Sequence, residues 1–97
     1  MSLHSPPLPP PPEKLDFTIY MKSNCPYCTK VQRLLNATNI KTVYINIDRY
    51  IATSNSKEYF LNYIQEISKK RHRTFPIVFF DAELVGGYTE TRWFINH

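Results

Sequence analysis

Cysteine is scarce in this chain: two residues, Cys25 and Cys28, among 97. A structural zinc centre needs four ligands, and the cysteines supply two. The three histidines, His4, His72 and His97, are scattered with no His-x₃₋₅-His pair, so a zinc site would need two chains. A bridge between Cys25 and Cys28 would close a very short loop and constrain the unfolded chain little, which argues against a structural staple. Near the N-terminus there is no apolar stretch of the kind that forms a secretory signal, and no hydrophobic run approaches membrane-spanning length. The expectation is therefore a cytoplasmic chain with no membrane partner, in a compartment where structural disulfides are rare. Glycine is as scarce as cysteine, and both residues sit together at Gly86-Gly87, where they break the chain. There is no internal repeat. The formal net charge is +4, yet the basic residues gather only in the short run KKRHR at 69–73. That is too narrow for a nucleic-acid face, and no nucleic-acid partner is expected.

Proline is plentiful and unevenly spread. Six of the eight prolines fall in MSLHSPPLPPPP, the first twelve residues. That stretch has no periodicity and reads as an extended, polyproline-II-like segment. Residues 1–13 are taken as a Pro-rich flexible tail, and 14–97 as one folded domain with enough chain for one small core. The LPPPP run is also of the type that docks on SH3- or WW-type grooves.

The rest alternates between two hydrophobic periods. LDFTIYM at 15–21 is short, apolar and rich in aromatic and β-branched residues, and predicts a buried strand. A helix follows over 26–36, with Val31, Leu34 and Leu35 at helical spacing. KTVYINID at 41–48 alternates Val43, Ile45 and Ile47 and predicts a second strand. SNSKE offers Ser54 or Ser56 as the cap of a longer helix with acid in its first turn. The apolar stripe of that helix is Phe60, Ile64 and Ile67, with Tyr63 alongside, and the KKRHR cations end it. FPIVFF at 75–80 is a third strand, Asp81-Ala82 a turn, 83–85 a fourth strand and 89–96 a short last helix. The order is β-α-β-α-β-β-α. The first strand pair is parallel through a right-handed crossover, and the last pair is a hairpin. The expected architecture is α/β, a four-stranded mixed sheet flanked by helices.

On this layout Cys25 falls at the start of the first helix, and Pro26 fits its first position, where a missing N–H costs nothing. Cys28 lies three residues on, on the same side of the first turn. The free N–H groups of that turn and the helix dipole favour negative charge on Cys25, and the thiolate is the reactive form. Lys22 adds positive charge nearby. The spacing offers an exposed nucleophile at Cys25 and a resolving thiol one turn deeper at Cys28. C-x-x-C beside a βαβ unit is itself a redox signal.

Three segments in order carry a family resemblance: CPYC (25–28), TFPIVFF (74–80) and GGYTE (86–90). Together they resemble the dithiol glutaredoxins, small proteins of the thioredoxin-like fold, over about residues 17–97. The resemblance implies a glutathione-dependent disulfide oxidoreductase in which Cys25 is the nucleophile and Cys28 resolves. It implies that Lys22 faces the glycine carboxylate of glutathione and that Tyr27 lines the groove. Thr74 and Phe75 would open the strand that pairs with the cysteinyl part, and Pro76 would follow a cis bond. Gly87, Thr89 and Glu90 would meet the γ-glutamyl end, and Arg73, or Arg71 before it, would pair with a carboxylate. Phe75 stands where the family has Val, which could narrow the groove, and Glu90 where Asp is commoner. The implied co-substrate and reductant is glutathione, with no metal. The implied partners are disulfide-bearing or glutathionylated proteins, met by a monomer. Two other readings stay open: a dimer holding a glutathione-ligated [2Fe–2S] cluster, and a binding module that recruits partners through the Pro-rich tail.

Overall fold

The computed structural model describes residues 5–97; His4 and the rest of 1–4 lie outside the described residues. The elements are β1 (Phe17–Met21), α1 (Pro26–Asn36), β2 (Thr42–Asn46), a 3-10 turn (Asp48–Tyr50), α2 (Ser54–Ser68), β3 (Ile77–Phe80), β4 (Glu83–Gly86) and α3 (Tyr88–Asn96). The four strands form one sheet in the order β2-β1-β3-β4. β1 runs parallel to β2 and antiparallel to β3, and β3 is antiparallel to β4. This is the expected four-stranded mixed sheet of a thioredoxin-like fold. The 3-10 turn after β2 was not anticipated, and the three longer predicted strands are each shorter than their apolar runs.

β1 and β3 are the central strands, and both faces of each are covered. Phe17 and Ile19 of β1 and Val78 of β3 face Val31 and Leu35 of α1, with Tyr88 and Ile95 of α3 packed against them. On the other face Tyr20, Ile77 and Phe79 meet Phe60, Leu61 and Ile64 of α2, together with Ile47 and Tyr50. Burial on both sides is why these strands read as unbroken apolar runs rather than alternating ones. Tyr20 makes edge-to-face contacts with Phe60 and Phe79, at centroid distances of 5.7 and 5.9 Å.

The topology gathers the loops at one end of the sheet. β1 and β2 are parallel, so their last residues, Met21 and Asn46, pair side by side. β3 is antiparallel to β1, so its first residue, Ile77, pairs with Tyr20 near the end of β1. Gly86 at the end of β4 pairs with Val78. The segments carrying Cys25, Asp48, Pro76 and Gly87 thereby converge without any long connection.

Two details of α2 differ from the sequence reading. Its N-cap is Thr53, not Ser54 or Ser56. The Ser56 N–H donates to Thr53 Oγ1 and the Thr53 N–H to Ser56 Oγ, each at 3.0 Å, and the first turn holds no acid. Hydroxyl residues crowd this stretch, and only Thr53 has the extended backbone that a cap requires. The buried stripe is Phe60, Leu61 and Ile64, whereas Ile67 is 38% exposed. Because Leu61 is buried beside Phe60, the stripe is centred between them. That centring, and the end of the helix at Ser68, put Ile67 on the rim. The basic run begins at Lys69, a left-handed C-cap, so its cations follow the helix rather than occupy its last turn.

Ile64→Ala is expected to lower the unfolding free energy by about 2–5 kcal/mol, and Ile67→Ala by less than about 1 kcal/mol. Urea denaturation of the two variants checks this, and equal losses would contradict the placement of the stripe.

Candidate active site

Between β1 and α1 the chain must turn sharply, and two devices hold the turn. Asn24 takes a left-handed conformation (φ 55°), which Asn tolerates better than most residues. Ser23 is clamped by Asp48: its N–H donates to Asp48 Oδ1 at 2.9 Å, and its hydroxyl donates to Oδ2. The Asp48 N–H is in turn bound by Asn46 Oδ1 at 2.9 Å. The Ser23 hydroxyl, then the Ser23 N–H, hold the Asp48 carboxyl below its usual value, with smaller help from Asn46 and the charge of Lys22. Asp48 lies just past the end of β2, so it couples the loop before Cys25 to the neighbouring strand. The sequence reading missed it, because nothing local marks an Asp in a 3-10 turn as the partner of a serine 25 residues earlier.

Cys25 is the N-cap of α1, with extended backbone, and Pro26 opens the helix. The Cys28 N–H donates to Cys25 Sγ at 3.2 Å, so the helix's free donors are aimed at this sulfur. The two cysteines form a disulfide, with Cα atoms 5.2 Å apart. Cys25 is half-buried and Cys28 is 4% exposed, which matches the expected division into an accessible and a deeper sulfur.

Next to this helix start runs a groove of about 360 Å³. Of the anticipated residues, Tyr27, Thr74, Phe75, Pro76, Gly87, Thr89 and Glu90 line it, joined by His72 and Tyr88, which sequence reasoning did not single out. The Phe75–Pro76 bond is cis, as the resemblance implied. His72 Nε2 lies 3.3 Å from the Pro76 carbonyl oxygen. Phe75 does double duty: it borders the groove and stacks on Phe60 at 6.3 Å, so part of its bulk goes into the core. Tyr27 and Tyr88 approach to 6.0 Å, with Lys30 Nζ 4.9 Å above the Tyr27 ring.

Lys22 and Arg73 are not among the lining residues. The Lys22 ammonium is 6.0 Å from the centre of the Phe75 ring, at the groove's border. Arg73 is directed to α2, where Nη2 pairs with Glu58 Oε2 at 2.6 Å. At the other end Gly87 is the N-cap of α3. Its own N–H donates to Glu90 Oε1 at 2.7 Å, so the Glu90 carboxylate already serves this helix start. The N–H groups of Tyr88 and Thr89, in the first turn, have no intrahelical acceptor. Gly86 has φ +133°, and a Cβ there would come within 2.8 Å of Glu90; no residue but glycine fits that position.

A larger groove of about 720 Å³ lies between the β3–β4 hairpin and α3, lined by Phe80, Leu84, Trp93 and Phe94 among others. It includes neither cysteine. Among the described residues no group of three or more His, Cys, Asp or Glu is placed to hold a metal, and no helix is long and apolar enough to cross a membrane.

Comparison with known proteins agrees with this geometry. The glutaredoxin family model matches residues 17–85. Glutaredoxin-1 of Sus scrofa is 33% identical over 72 residues, and that of Homo sapiens 29%. Each match covers 74% of this chain and 65% of the relative, slightly less than two thirds of its length. Glutaredoxin 1 from Francisella tularensis, solved with cacodylate, superposes with a TM-score of 0.69 at 24% identity, covering 84% of this chain and 92% of that one. The buckwheat glutaredoxin–glutathione complex superposes with a TM-score of 0.63 at 20% identity, covering 82% and 67%. At these identities the structural likeness speaks for the fold.

The folded-state pKa of Asp48 lies below its usual 3.8. Its contribution to stability is therefore complete above the usual value and is lost as pH falls through the lowered one. The stability difference between the native protein and Asp48→Ala should be constant above about pH 5 and shrink below about pH 4. Chemical denaturation across that range measures it; a difference that instead grew on acidification would contradict the clamp.

Proposed function

The chain belongs to the glutaredoxin family, and from that premise we propose that it is a glutathione-dependent thiol–disulfide oxidoreductase working through the Cys25/Cys28 pair. The observation that carries this reading is the Cys25 sulfur at the N-cap of α1, partly exposed, bonded to the deeper Cys28 and receiving its N–H.

The chemistry is thiolate exchange. With a glutathionylated substrate, the Cys25 thiolate attacks the glutathionyl sulfur; the substrate sulfur leaves as thiolate and takes up a proton. A second glutathione thiolate attacks the glutathione sulfur of the adduct, releasing oxidised glutathione and restoring the Cys25 thiolate. With a protein disulfide, Cys25 forms the mixed disulfide and the Cys28 thiolate attacks Cys25 Sγ. The second substrate thiol leaves, and Cys25–Cys28 remains oxidised. Two glutathiones then return the pair to the dithiol, one electron pair per cycle. Family potentials of about −200 to −230 mV lie near the cytosolic glutathione poise, so such a pair runs either way as the pool shifts.

Helix α1 stabilises the thiolate both as attacking group and as leaving group. In the proposed complex, glutathione lies along the groove, its cysteinyl backbone paired with Phe75 before the cis bond to Pro76, and Thr74 and Tyr27 at its sides. The Tyr88 and Thr89 N–H groups meet the γ-glutamyl carboxylate, with Gly87 and Glu90 shaping that end. Lys22 reaches the glycine carboxylate from the border. Arg73 would act there only by leaving Glu58, and Arg71 is the alternative cation. The working unit is residues 14–97, a monomer in the cytoplasm acting on disulfide-bearing or glutathionylated proteins.

Glutathione-dependent reduction of a small glutathione mixed disulfide tests the assignment. The native protein and Cys28→Ser should turn over, and Cys25→Ser should fall to background. A folded, reduced native protein without activity would overturn the reading. Lys22→Ala should raise the KM for the glutathionylated substrate about two- to fivefold, the range of a partly exposed ion pair, with kcat little changed; an unaltered KM would remove Lys22 from the site.

A further inference from the structure

The LPPPP run has no part in the chemistry above, and it does not point outward. Along 5–13 burial recurs every third residue. Pro6 is half-buried, Pro9 buried and Pro12 half-buried, whereas Ser5, Pro7, Pro10, Pro11 and Glu13 are exposed. Three residues per turn is the period of the polyproline II helix, so one edge of such a helix faces the protein. Leu8, on the adjacent edge beside Pro9, is half-buried too and packs against the core cluster of Tyr20, Phe60 and Ile64.

The receiving surface is chemically suited to this guest. Tyr59, Tyr63 and Ile67 of α2 border a groove of about 400 Å³ beside Leu8. Tyr20 of β1, fully buried, donates its hydroxyl to the Pro10 carbonyl at 2.7 Å. Burial, then the proximity of Tyr63 and Glu13, push the Tyr20 pKa far above its ordinary value, so the hydroxyl keeps the proton it donates. Proline carbonyls are acceptors with no neighbouring N–H to satisfy; apolar aromatic walls with one hydroxyl donor match that pattern, the same logic by which proline-rich segments are read elsewhere. Just beyond the run, the Glu13 N–H donates to Thr18 Oγ1 at 2.9 Å, which fixes the register of the strap on β1.

We infer that the face formed by β1 and α2 is a polyproline-binding site, occupied in cis by the chain's own segment from Pro6 to Pro12. The ligand class is an extended Pro-x-Leu-Pro segment, and the site is separate from the cysteine pair. The native chain masks it: a tethered ligand acts at an effective concentration in the millimolar range, and a free segment competes only when the strap is displaced.

The first test uses the native full chain. Leu8 carries the only backbone N–H between Pro6 and Pro12, so its ¹⁵N order parameter reports docking directly. A value near about 0.8 is expected, and one below about 0.6 overturns the inference. The second test is a trans titration with the synthetic peptide SPPLPPPPEK, followed by NMR shifts of Tyr59 and Tyr63. The native chain should show no saturable binding below about 1 mM. The full-length double variant Leu8→Asp/Pro9→Asp should bind the peptide saturably, and adding Tyr20→Phe should weaken that binding about fivefold. No saturable binding to the folded double variant, or equal binding to native and variant chains, overturns the proposal.

Discussion

The molecule depends on the burial of two antiparallel neighbours, β1 and β3, on both faces at once. Phe17, Ile19 and Tyr20 on one strand and Ile77, Val78 and Phe79 on the other are all fully buried. With those strands fixed, their register sets the end of β1 against the start of β3. The loop to Cys25 and the cis Phe75–Pro76 bond must then share one end of the sheet. Adding β2 parallel and β4 antiparallel brings Asp48 and Gly87 to the same end. The site is thus a consequence of strand direction, built from four segments far apart in sequence.

How much of this was legible beforehand follows from the range of each interaction. The start of helix α1 was readable, because Pro26 opens it and the cysteine spacing marks its first turn. The sheet was readable in composition and order, but its strands were overextended. Leu15, Ile47 and Phe75 continue the apolar runs chemically while lying outside the ladder. In α2 the cap and stripe slipped, since four polar residues compete to cap and Ile67 is turned to the rim by packing that the local sequence does not encode. The long-range ties were invisible. Asp48 to Ser23 and Arg73 to Glu58 each join groups that only the fold brings together. His72 was weighed only as a zinc ligand and as part of a basic run, yet it lies against the Pro76 carbonyl.

Internal pairing also decides which charges remain for a ligand. Arg73 is engaged by Glu58, and Glu90 caps the helix start at Gly87 with its own carboxylate. A basic composition therefore overstates the free positive charge along the groove. For the proposed ligand, Lys22, over the Phe75 ring, and the first-turn N–H groups of α3 would carry more of the electrostatic work than the net charge suggests.

Both outer strands are short: β2 has five residues and β4 four. The β3–β4 ladder also slips register between Val78 and Phe79, and β4 ends at the left-handed Gly86. Glu83, exposed, opens that strand with a charge. Such truncated, kinked and charged rims make poor templates for another extended chain. A protein whose proposed clients carry accessible disulfides, and with them stretches of unpaired backbone, would meet adhesive surfaces at every encounter. The strand borders of this fold offer such backbone little to pair with.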